Sequence, residues 1–242
     1  MKLSDYKVLT FDCYGTLIDW ESGIWGGLQP LIQANDHKIS REAALAEFGR
    51  IEPEQEHETP SLLYRELLSR VHAKMATGWG IASTPALDLA FGQSVPEWPA
   101  FPDTVEALQY LKQHFKLVIL SNVDRESFAG TNKRLGVVFD AICTAEDVGA
   151  YKPDRRNFEY LLREVGKLGF GKADILHTAQ SLFHDHVPAE AMGIARCWIN
   201  RRGDSAAGSG ASQALARMPK LDFQFPTLGA MAAAHRSEIG SK

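Results

Sequence analysis

Short apolar runs that each end at a polar residue recur along this chain, and they constrain its fold more than any other feature. Residues 7–11 form one run that ends at Asp12, and residues 117–120 form another that ends at Ser121. Shorter runs follow at 175–178 and 195–199, with helical patterns between them. Continuously apolar strands are typical of parallel sheets buried on both faces. The alternation of strand and helix predicts a doubly wound parallel α/β sheet.

The chain length leaves room for an insertion in this sheet. At 242 residues and 45% hydrophobic content, the chain fits one large domain or a domain with an inserted unit. Helical patterns replace the apolar strand runs between about residues 19 and 98. We therefore predict an α/β core from residues 1–18 and 99–242, and a helical cap domain from residues 19–98. We also expect a surface loop at 204–212 and a frayed tail from Ala232 onward.

Charge and cysteine content exclude several classes of protein. The 26 basic and 30 acidic residues give a net charge of −4, and no basic run could follow a phosphate backbone, so nucleic acid is not an expected partner. The three cysteines lack Cys-x-x-Cys spacing, which predicts neither a disulfide framework nor a zinc site. Without ~20 continuous apolar residues, no membrane span is predicted and a cytoplasmic location is expected.

Asp12 is the candidate nucleophile. Open α/β sheets place their chemistry at the carboxyl ends of buried strands, where Asp12 stands. Gly15 lets the chain turn sharply and bring backbone N–H groups back toward the carboxylate, and Thr16 adds a hydroxyl. Cys13 has no His or Lys nearby in the sequence that would activate its thiol, so a buried, reduced thiol is expected.

The segment from Asp12 to Leu17, Asp-Cys-Tyr-Gly-Thr-Leu, resembles the first motif of the haloacid dehalogenase superfamily, in its 2-haloacid dehalogenase branch. This resemblance implies a Rossmann-like core with an inserted helical cap. The phosphatases of the superfamily carry a second Asp where this chain has Tyr14. A phenol titrates near ~10, so Tyr14 supplies no ionised ligand at neutral pH. We therefore predict no metal and no cofactor.

Two further segments resemble the second and third motifs. Ser121 and Asn122 follow the second apolar run, and the resemblance implies that Ser121 binds the substrate carboxylate while Asn122 helps to hold the departing halide. Lys152 precedes Pro153 in Tyr-Lys-Pro-Asp, and the matching Lys of the family balances the charge of the nucleophilic Asp. A buried carboxylate that receives an anionic substrate needs such a cation. The backbone at Cys13 and Tyr14, together with Thr16, is expected to hold the substrate.

The fourth motif departs from the family pattern. Asp185 matches the final acidic position, which implies a role in positioning the hydrolytic water. Gln180, Ser181 and Leu182 stand where the best-known pattern has Ser, Ser and Asn. Gln180 could supply the missing amide by another route. His184 occupies a position where an aromatic residue borders the halide pocket, and its N–H could stabilise fluoride, so fluorinated acids are included as a hypothesis.

Three further assignments concern Phe158, an arginine of the insertion (Arg41, Arg50 or Arg65) and His186. Phe158 stands where the family often has Tyr, six residues after the Lys. The resemblance also implies a cap arginine that meets the halide or carboxylate. Arg50 has the best register among the candidates, whereas Arg41 follows Ser40, which is a helix N-cap candidate. His186 is a further candidate base beside Asp185.

These features together predict hydrolysis of short 2-haloalkanoic acids through an aspartyl ester on Asp12, with a small anionic acid as substrate. Trp25 and Trp79 suggest a homodimer contact or a pocket lid, with core packing as the alternative.

Three other functions stay open. The same attack by Asp12 could open a small cyclic amino acid such as an azetidine carboxylate, with His184 or Tyr14 as proton donor. A magnesium-dependent phosphatase and a non-catalytic binding module on the same fold are the others.

Overall fold

Six parallel strands form one sheet in this computed structural model, which describes residues 1–35, 38–203 and 217–240. The strands are β1 (Val8–Phe11), β2 (Lys116–Ser121), β3 (Ala141–Thr144), β4 (Ile175–Ala179), β5 (Ala195–Ile199) and β6 (Phe223–Phe225). Their order in the sheet is β3-β2-β1-β4-β5-β6. The predicted doubly wound parallel sheet is therefore confirmed.

The strand order reverses at β1. Phe11, the last residue of β1, pairs with Ile119 of β2 on one side and with Thr178 of β4 on the other. The chain segments that follow these three strands therefore emerge next to one another. In open α/β sheets this reversal opens the crevice in which ligands bind. Asp12 lies at the centre of that crevice.

Ten α-helices surround the sheet in the part of the chain that the structure describes. Between β1 and β2 are α1 (Trp20–Ala34), α2 (Arg41–Glu58), α3 (Tyr64–Trp79), α4 (Pro85–Gly92) and α5 (Thr104–Leu111). The others are α6 (Arg125–Leu135), α7 (Ala145–Val148), α8 (Arg155–Lys167), α9 (Val187–Ala191) and α10 (Leu228–Gly240). None of the described helices is long and apolar enough to cross a bilayer.

Helices α1 to α4 lie within the predicted cap. Helix α3 buries Leu67, Leu68, Val71 and Met75, which recur at helical spacing and form one apolar stripe. The segments that lead into and out of these four helices run side by side, because Asp19 N donates to Pro99 O at 2.8 Å and Phe101 N to Leu17 O at 3.1 Å. The helical insertion thus leaves and rejoins the sheet at one place. Its treatment as a separate domain with limits at 19 and 98 stays a prediction.

The expectation of a frayed tail from Ala232 is wrong. Helix α10 buries Ala232, Met231 and His235 against the core. The carboxylate of Glu238 accepts hydrogen bonds from two backbone N–H groups at the other end of the chain, those of residues 3 and 4, at 3.1 and 3.0 Å. Leucine, methionine and alanine at 228, 231 and 232 already have helical spacing, which is the signal that was overlooked. The loop predicted at 204–212 lies outside the described residues.

Candidate active site

Both carboxylate oxygens of Asp12 are held by neighbouring groups. Thr16 Oγ1 donates to Oδ2 at 2.7 Å, and Lys152 Nζ donates to Oδ1 at 2.9 Å. The residue is only 7% exposed. Burial raises the pKa of Asp12 above its ordinary value, while Lys152 and the hydroxyl of Thr16 oppose that shift. The structure therefore brings three predicted site residues together around one buried carboxylate.

The turn after Asp12 requires glycine at position 15 for two reasons. Gly15 has a φ of +95°, which disfavours residues with a side chain. A Cβ there would also lie 3.0 Å from Trp20 Nε1 and 3.3 Å from Gln180 Oε1. The missing side chain therefore lets the first cap helix and the loop after β4 approach the nucleophile turn.

The side chains of Cys13 and Tyr14 do not face the Asp12 carboxylate as reactive groups, since the first is a buried thiol and the second contacts Thr131. Cys13 is fully buried, and burial, with a contribution from Asp12, raises the pKa of its thiol well above the ordinary value. The thiol is thus neutral and does not act as a nucleophile. The Tyr14 hydroxyl lies 2.9 Å from Thr131 Oγ1, and burial raises its pKa as well. Any substrate contact from these two residues would come from their backbone.

Lys152 lies between two carboxylates. Its Nζ donates to Asp12 Oδ1, to Asp185 Oδ1 at 2.8 Å and to the backbone oxygen of Leu120 at 3.0 Å. The side chain is 2% exposed. Burial alone would lower its pKa, but Asp12 and Asp185 hold it above the ordinary value. Lys152 is therefore charged and lies where its charge offsets that of Asp12.

Ser121 and Asn122 differ in how they are engaged. Asn122 Oδ1 accepts from the backbone N of Lys152 at 2.6 Å, and its Nδ2 donates to the backbone oxygen of Lys152 at 3.1 Å. The amide thus fixes the position of Lys152, a role that the sequence did not suggest. Ser121 is 1% exposed, and its Oγ has no hydrogen-bond partner among the described residues. The predicted contact of this hydroxyl with a substrate stays a prediction.

The loop after β4 forms a single π-helical turn, Leu182–His186. Ser181 caps it, since its Oγ accepts from His184 N at 3.1 Å. Such turns are frequent at functional sites. The turn directs Asp185 to Lys152, and Gln180 N donates to Thr16 Oγ1 at 2.9 Å. Burial would raise the pKa of Asp185, but Lys152 and His177 hold it below the ordinary value.

The two histidines beside Asp185 are neutral at pH 7. Burial lowers the pKa of both His184 and His186 to about 4. His186 Nε2 lies 2.9 Å from the backbone oxygen of Ala179. His184 Nδ1 lies 3.3 Å from Ser181 Oγ. If this hydroxyl donates to Nδ1, the hydrogen of His184 is on Nε2 and is available to another acceptor.

The substrate contact predicted for Arg50 requires correction. The guanidinium of Arg50 binds Glu47 at 2.8 Å and Glu54 at 3.3 Å, and its side chain is 56% exposed. The i−3 and i+4 carboxylates on α2 compete for it at the helix surface. Arg65 instead binds Asp124 at 2.7 Å, and Arg41 reaches Ser22 Oγ at 3.2 Å. No arginine contact to the Asp12 carboxylate is found in the described chain.

Helix α2 carries two carboxyl groups that were not predicted as site residues, and one of them contacts Asn122. Glu56 Oε1 lies 3.4 Å from Asn122 Nδ2, and Glu52 Oε1 accepts from the Tyr64 hydroxyl at 2.9 Å. Burial raises the pKa of Glu52 to about 7 and that of Glu56 well above its ordinary value. Their spacing of four residues on one helix is the signal that could have linked them.

His177 was also missed. It lies fully buried in β4, with Nε2 3.1 Å from Asp185 Oδ1 and Nδ1 2.8 Å from Thr10 Oγ1. The ring of Phe158 packs against it edge to face at 5.2 Å. A histidine inside an apolar run was the available signal, because buried polar groups need partners.

Comparisons with known proteins show which proteins this chain resembles. A family model described as haloacid dehalogenase-like hydrolase matches residues 6–177. An (S)-2-haloacid dehalogenase from Pseudomonas putida is 35% identical over 105 residues, which are 42% of this chain and 44% of that protein. The match thus spans less than half the length of this relative.

Solved structures share the fold across nearly the whole chain. A defluorinating L-2-haloacid dehalogenase has a TM-score of 0.78 at 21% identity and covers 97% of this chain and 98% of its own. The L-2-haloacid dehalogenase from Xanthobacter autotrophicus, with chloropropionic acid covalently bound, has a TM-score of 0.78 at 18% identity and covers 96% and 98%. With the family model matching most of its length, this chain belongs to the haloacid dehalogenase-like hydrolase family.

Proposed function

We propose that this protein hydrolyses short 2-haloalkanoic acids to 2-hydroxy acids through an ester on Asp12. The observation that carries the proposal is the buried Asp12 carboxylate, with Lys152 on one oxygen and Thr16 on the other. Charge balance of this kind keeps a buried carboxylate ionised and oriented, as a nucleophile must be. The Ser121 hydroxyl at the same crevice supports binding of the substrate carboxylate.

The reaction has two displacement steps. An oxygen of Asp12 attacks the carbon that bears the halogen, and the halide leaves with the electron pair of the broken bond. Water then adds to the ester carbonyl carbon, and the bond from that carbon to the bridging oxygen breaks. The bridging oxygen leaves in the hydroxy acid with one proton of the water, while the other proton goes to solvent as the Asp12 carboxylate re-forms.

Phosphate ester hydrolysis is less well supported. Its second acidic position is occupied by Tyr14, whose neutral hydroxyl contacts Thr131. A divalent cation favours charged oxygen ligands, and a phenol bound in this way offers none. Phosphatase activity that EDTA abolishes would reverse this conclusion.

The proposal that fluorinated acids are among the substrates depends on His184. A neutral ring with its hydrogen on Nε2 could donate to a small, strongly hydrated halide such as fluoride. The defluorinating activity named for one structural neighbour makes fluoroacetate a reasonable probe. Chloride release from chloroacetate without fluoride release from fluoroacetate would remove fluorinated acids from the proposal.

The principal test measures free halide with both enantiomers of 2-chloropropionate and 2-bromopropionate. We expect release by the wild type and a loss of about 10³-fold or more in Asp12→Asn. Multiple turnovers in oxygen-18 water should also label Asp12. Absence of both halide release and label would contradict the proposal, and a binding module on a hydrolase fold would show neither.

A second candidate function is supported by the cap carboxyl groups. Opening of a small cyclic amino acid such as an azetidine carboxylate would use the same attack by Asp12 on a ring carbon, and the ring nitrogen would leave as an amine that takes up a proton. Burial raises the pKa of Glu56 well above its ordinary value, which favours its protonated form, and Glu56 lies beside Asn122. His184, with a pKa of about 4, and Tyr14, bound to Thr131, are poorer donors.

Product analysis separates the two candidates. Mass spectrometry would detect a hydroxy amino acid from azetidine-2-carboxylate, and we expect Glu56→Gln to reduce its formation by roughly 10²-fold or more. Glu54→Gln is the matched control, because Glu54 lies on the same helix with its side chain 56% exposed. Halide release without any ring-opened product from the wild type would exclude this second function.

A further inference from the structure

A buried histidine behind the fourth motif has no assigned role in the proposed reaction. His177 lies in β4 and pairs in register with Thr10 of β1, so its ring lies beneath the crevice. It is fully buried, and both ring nitrogens have partners, Thr10 Oγ1 on Nδ1 and Asp185 Oδ1 on Nε2. A polar ring in the centre of an apolar sheet costs free energy unless both nitrogens are satisfied. These contacts therefore fix the ring in one orientation.

The direction of these hydrogen bonds follows from the acceptor. An ionised carboxylate only accepts, so His177 Nε2 donates to Asp185 Oδ1. In the neutral ring, Nδ1 then accepts from the hydroxyl of Thr10. Asp185 thereby sets the tautomer, and the Thr10 hydroxyl satisfies the other ring nitrogen.

The two oxygens of Asp185 are treated very differently. Oδ1 receives both donors, Lys152 Nζ at 2.8 Å and His177 Nε2 at 3.1 Å. Oδ2 is buried and has no hydrogen-bond partner within the described ranges. A carboxylate anchored through one oxygen cannot rotate freely, so its second oxygen keeps a fixed direction as an acceptor.

We propose that His177 is a positioning residue for the hydrolytic half-reaction. Together with Lys152 it holds Asp185 by Oδ1, so that Oδ2 can accept a hydrogen bond from the water that attacks the Asp12 ester. This inference rests on the proposed function, because it needs an ester to hydrolyse. It also accounts for Leu182 at the position where the family pattern has an amide, since a fixed carboxylate can orient the water instead.

The test compares His177→Leu with His177→Gln. Leucine removes the donor to Asp185, whereas the glutamine amide can restore it. With 2-chloropropionate, we expect His177→Leu to lower kcat by ~10- to 100-fold and to give a burst of halide, because the ester now breaks down slowly. Intact mass after acid quench should show the ester accumulating on the enzyme. His177→Gln should recover much of kcat and lose most of the accumulated ester.

Two further variants keep the test decisive. Leu176→Ile changes packing in the same strand and should alter the melting temperature without ester accumulation. Thr10→Val removes the hydroxyl that holds Nδ1 of the ring and should accumulate ester to a smaller extent, which provides the readout if His177→Leu does not fold. An ester fraction in folded His177→Leu that equals that of the wild type would overturn the positioning role, and so would an equal fraction in Thr10→Val if His177→Leu does not fold. Wild-type turnover with neither ester nor oxygen-18 label on Asp12 would contradict the proposed function itself.

Discussion

At the scale of single residues, Lys152 organises the site more than any other side chain. Its ammonium joins Asp12, Asp185 and the end of β2, and Asn122 holds its backbone on both sides. Each of these contacts lies in a region from which water is largely excluded. Ion pairs of this kind contribute little net stability when intact, but their disruption is costly because the partner charge stays buried.

Replacing Lys152 by Met should therefore destabilise the protein. Two buried carboxylates would lose their counter-ion, and we expect the free energy of unfolding at pH 7 to fall by about 3–5 kcal/mol. The loss should shrink in acid, where the carboxylates take up protons. Urea titrations at pH 7 and pH 5 measure both effects. Lys74→Met is the control, since Lys74 pairs with Glu58 at the exposed surface and should change stability little.

The raised pKa of Asp12 predicts how turnover depends on pH. Only the ionised carboxylate attacks carbon, so activity is full above this pKa and is lost as the pH falls through it. Because burial raises the pKa of Asp12, the acid limb should lie at higher pH than for an ordinary aspartate near ~3.9. A profile of kcat/KM for halide release against pH measures this limb. Activity that persists unchanged below the ordinary aspartate range would contradict the assignment.

At the scale of elements, the link between α3 of the insertion and α6 of the core depends on one carboxylate. Asp124 caps α6 through Ser127, and it accepts from both the backbone N and Nη1 of Arg65 at 3.0 and 2.7 Å. The hydrogen bonds from Ser127 and Arg65 lower the pKa of Asp124, although burial opposes them. A charged group shared between two helices restricts how they can separate.

Arg65→Met removes a hydrogen bond to Asp124 and should lower the free energy of unfolding at pH 7 by about 1–2 kcal/mol. Because the pKa of Asp124 is depressed in the folded state, its contribution is present above the unfolded value near ~4 and is lost as the pH falls through the folded value. The difference in the free energy of unfolding between Arg65→Met and the wild type should therefore become smaller in acid. Arg50→Met, on the exposed face of α2, should have almost no effect in the same unfolding experiment. Equal losses in the two variants would refute the assigned role of Asp124.

The same elements show what the sequence could predict. Strands β1, β2, β4 and β5, their parallel arrangement and the meeting of Asp12 with Lys152 and Asp185 follow from apolar runs and motif positions, whereas the short strand β6 was not predicted. The face of α2 that meets the site was not predicted. Arg50 was chosen by the register of the residues around it, but Phe48 and Ile51 are buried and Arg50 lies on the exposed side of the helix. The structure instead places Glu56 beside Asn122 and Glu52 beside Tyr64. His177 was overlooked because its partner, Thr10, belongs to a strand 167 residues away.

At the scale of the whole molecule, helix α10 contacts the first residues of the sequence. Helix α10 packs beside the start of the chain, and Leu228 and Met231 are fully buried. The Tyr110 hydroxyl of α5 lies 3.0 Å from His235 Nδ1. The predicted homodimer stays a prediction, since Trp25 and Trp79 are only partly exposed and pack against buried residues of this same chain.

Truncation after residue 227 should expose that buried surface. Removing two fully buried apolar side chains typically costs several kcal/mol, roughly half of a domain's stability. We expect the shortened chain to melt at a markedly lower temperature or to aggregate during expression. Circular dichroism and light scattering measure these outcomes, and Glu238→Gln, which keeps the helix, should show only a small shift. A truncated chain as stable as the full one would show that α10 is dispensable.

The ammonium of Lys152, shared between two aspartates, also determines the net charge of the crevice. One lysine faces two aspartates, so the unreacted trio carries a net negative charge. Protonation or esterification of Asp12 removes its charge, so that Lys152 and Asp185 then balance each other. Before the reaction, the net negative charge of Asp12, Lys152 and Asp185 repels an incoming anion, unless protein dipoles or a cationic group on the same molecule compensate. This repulsion disappears once Asp12 has lost its charge.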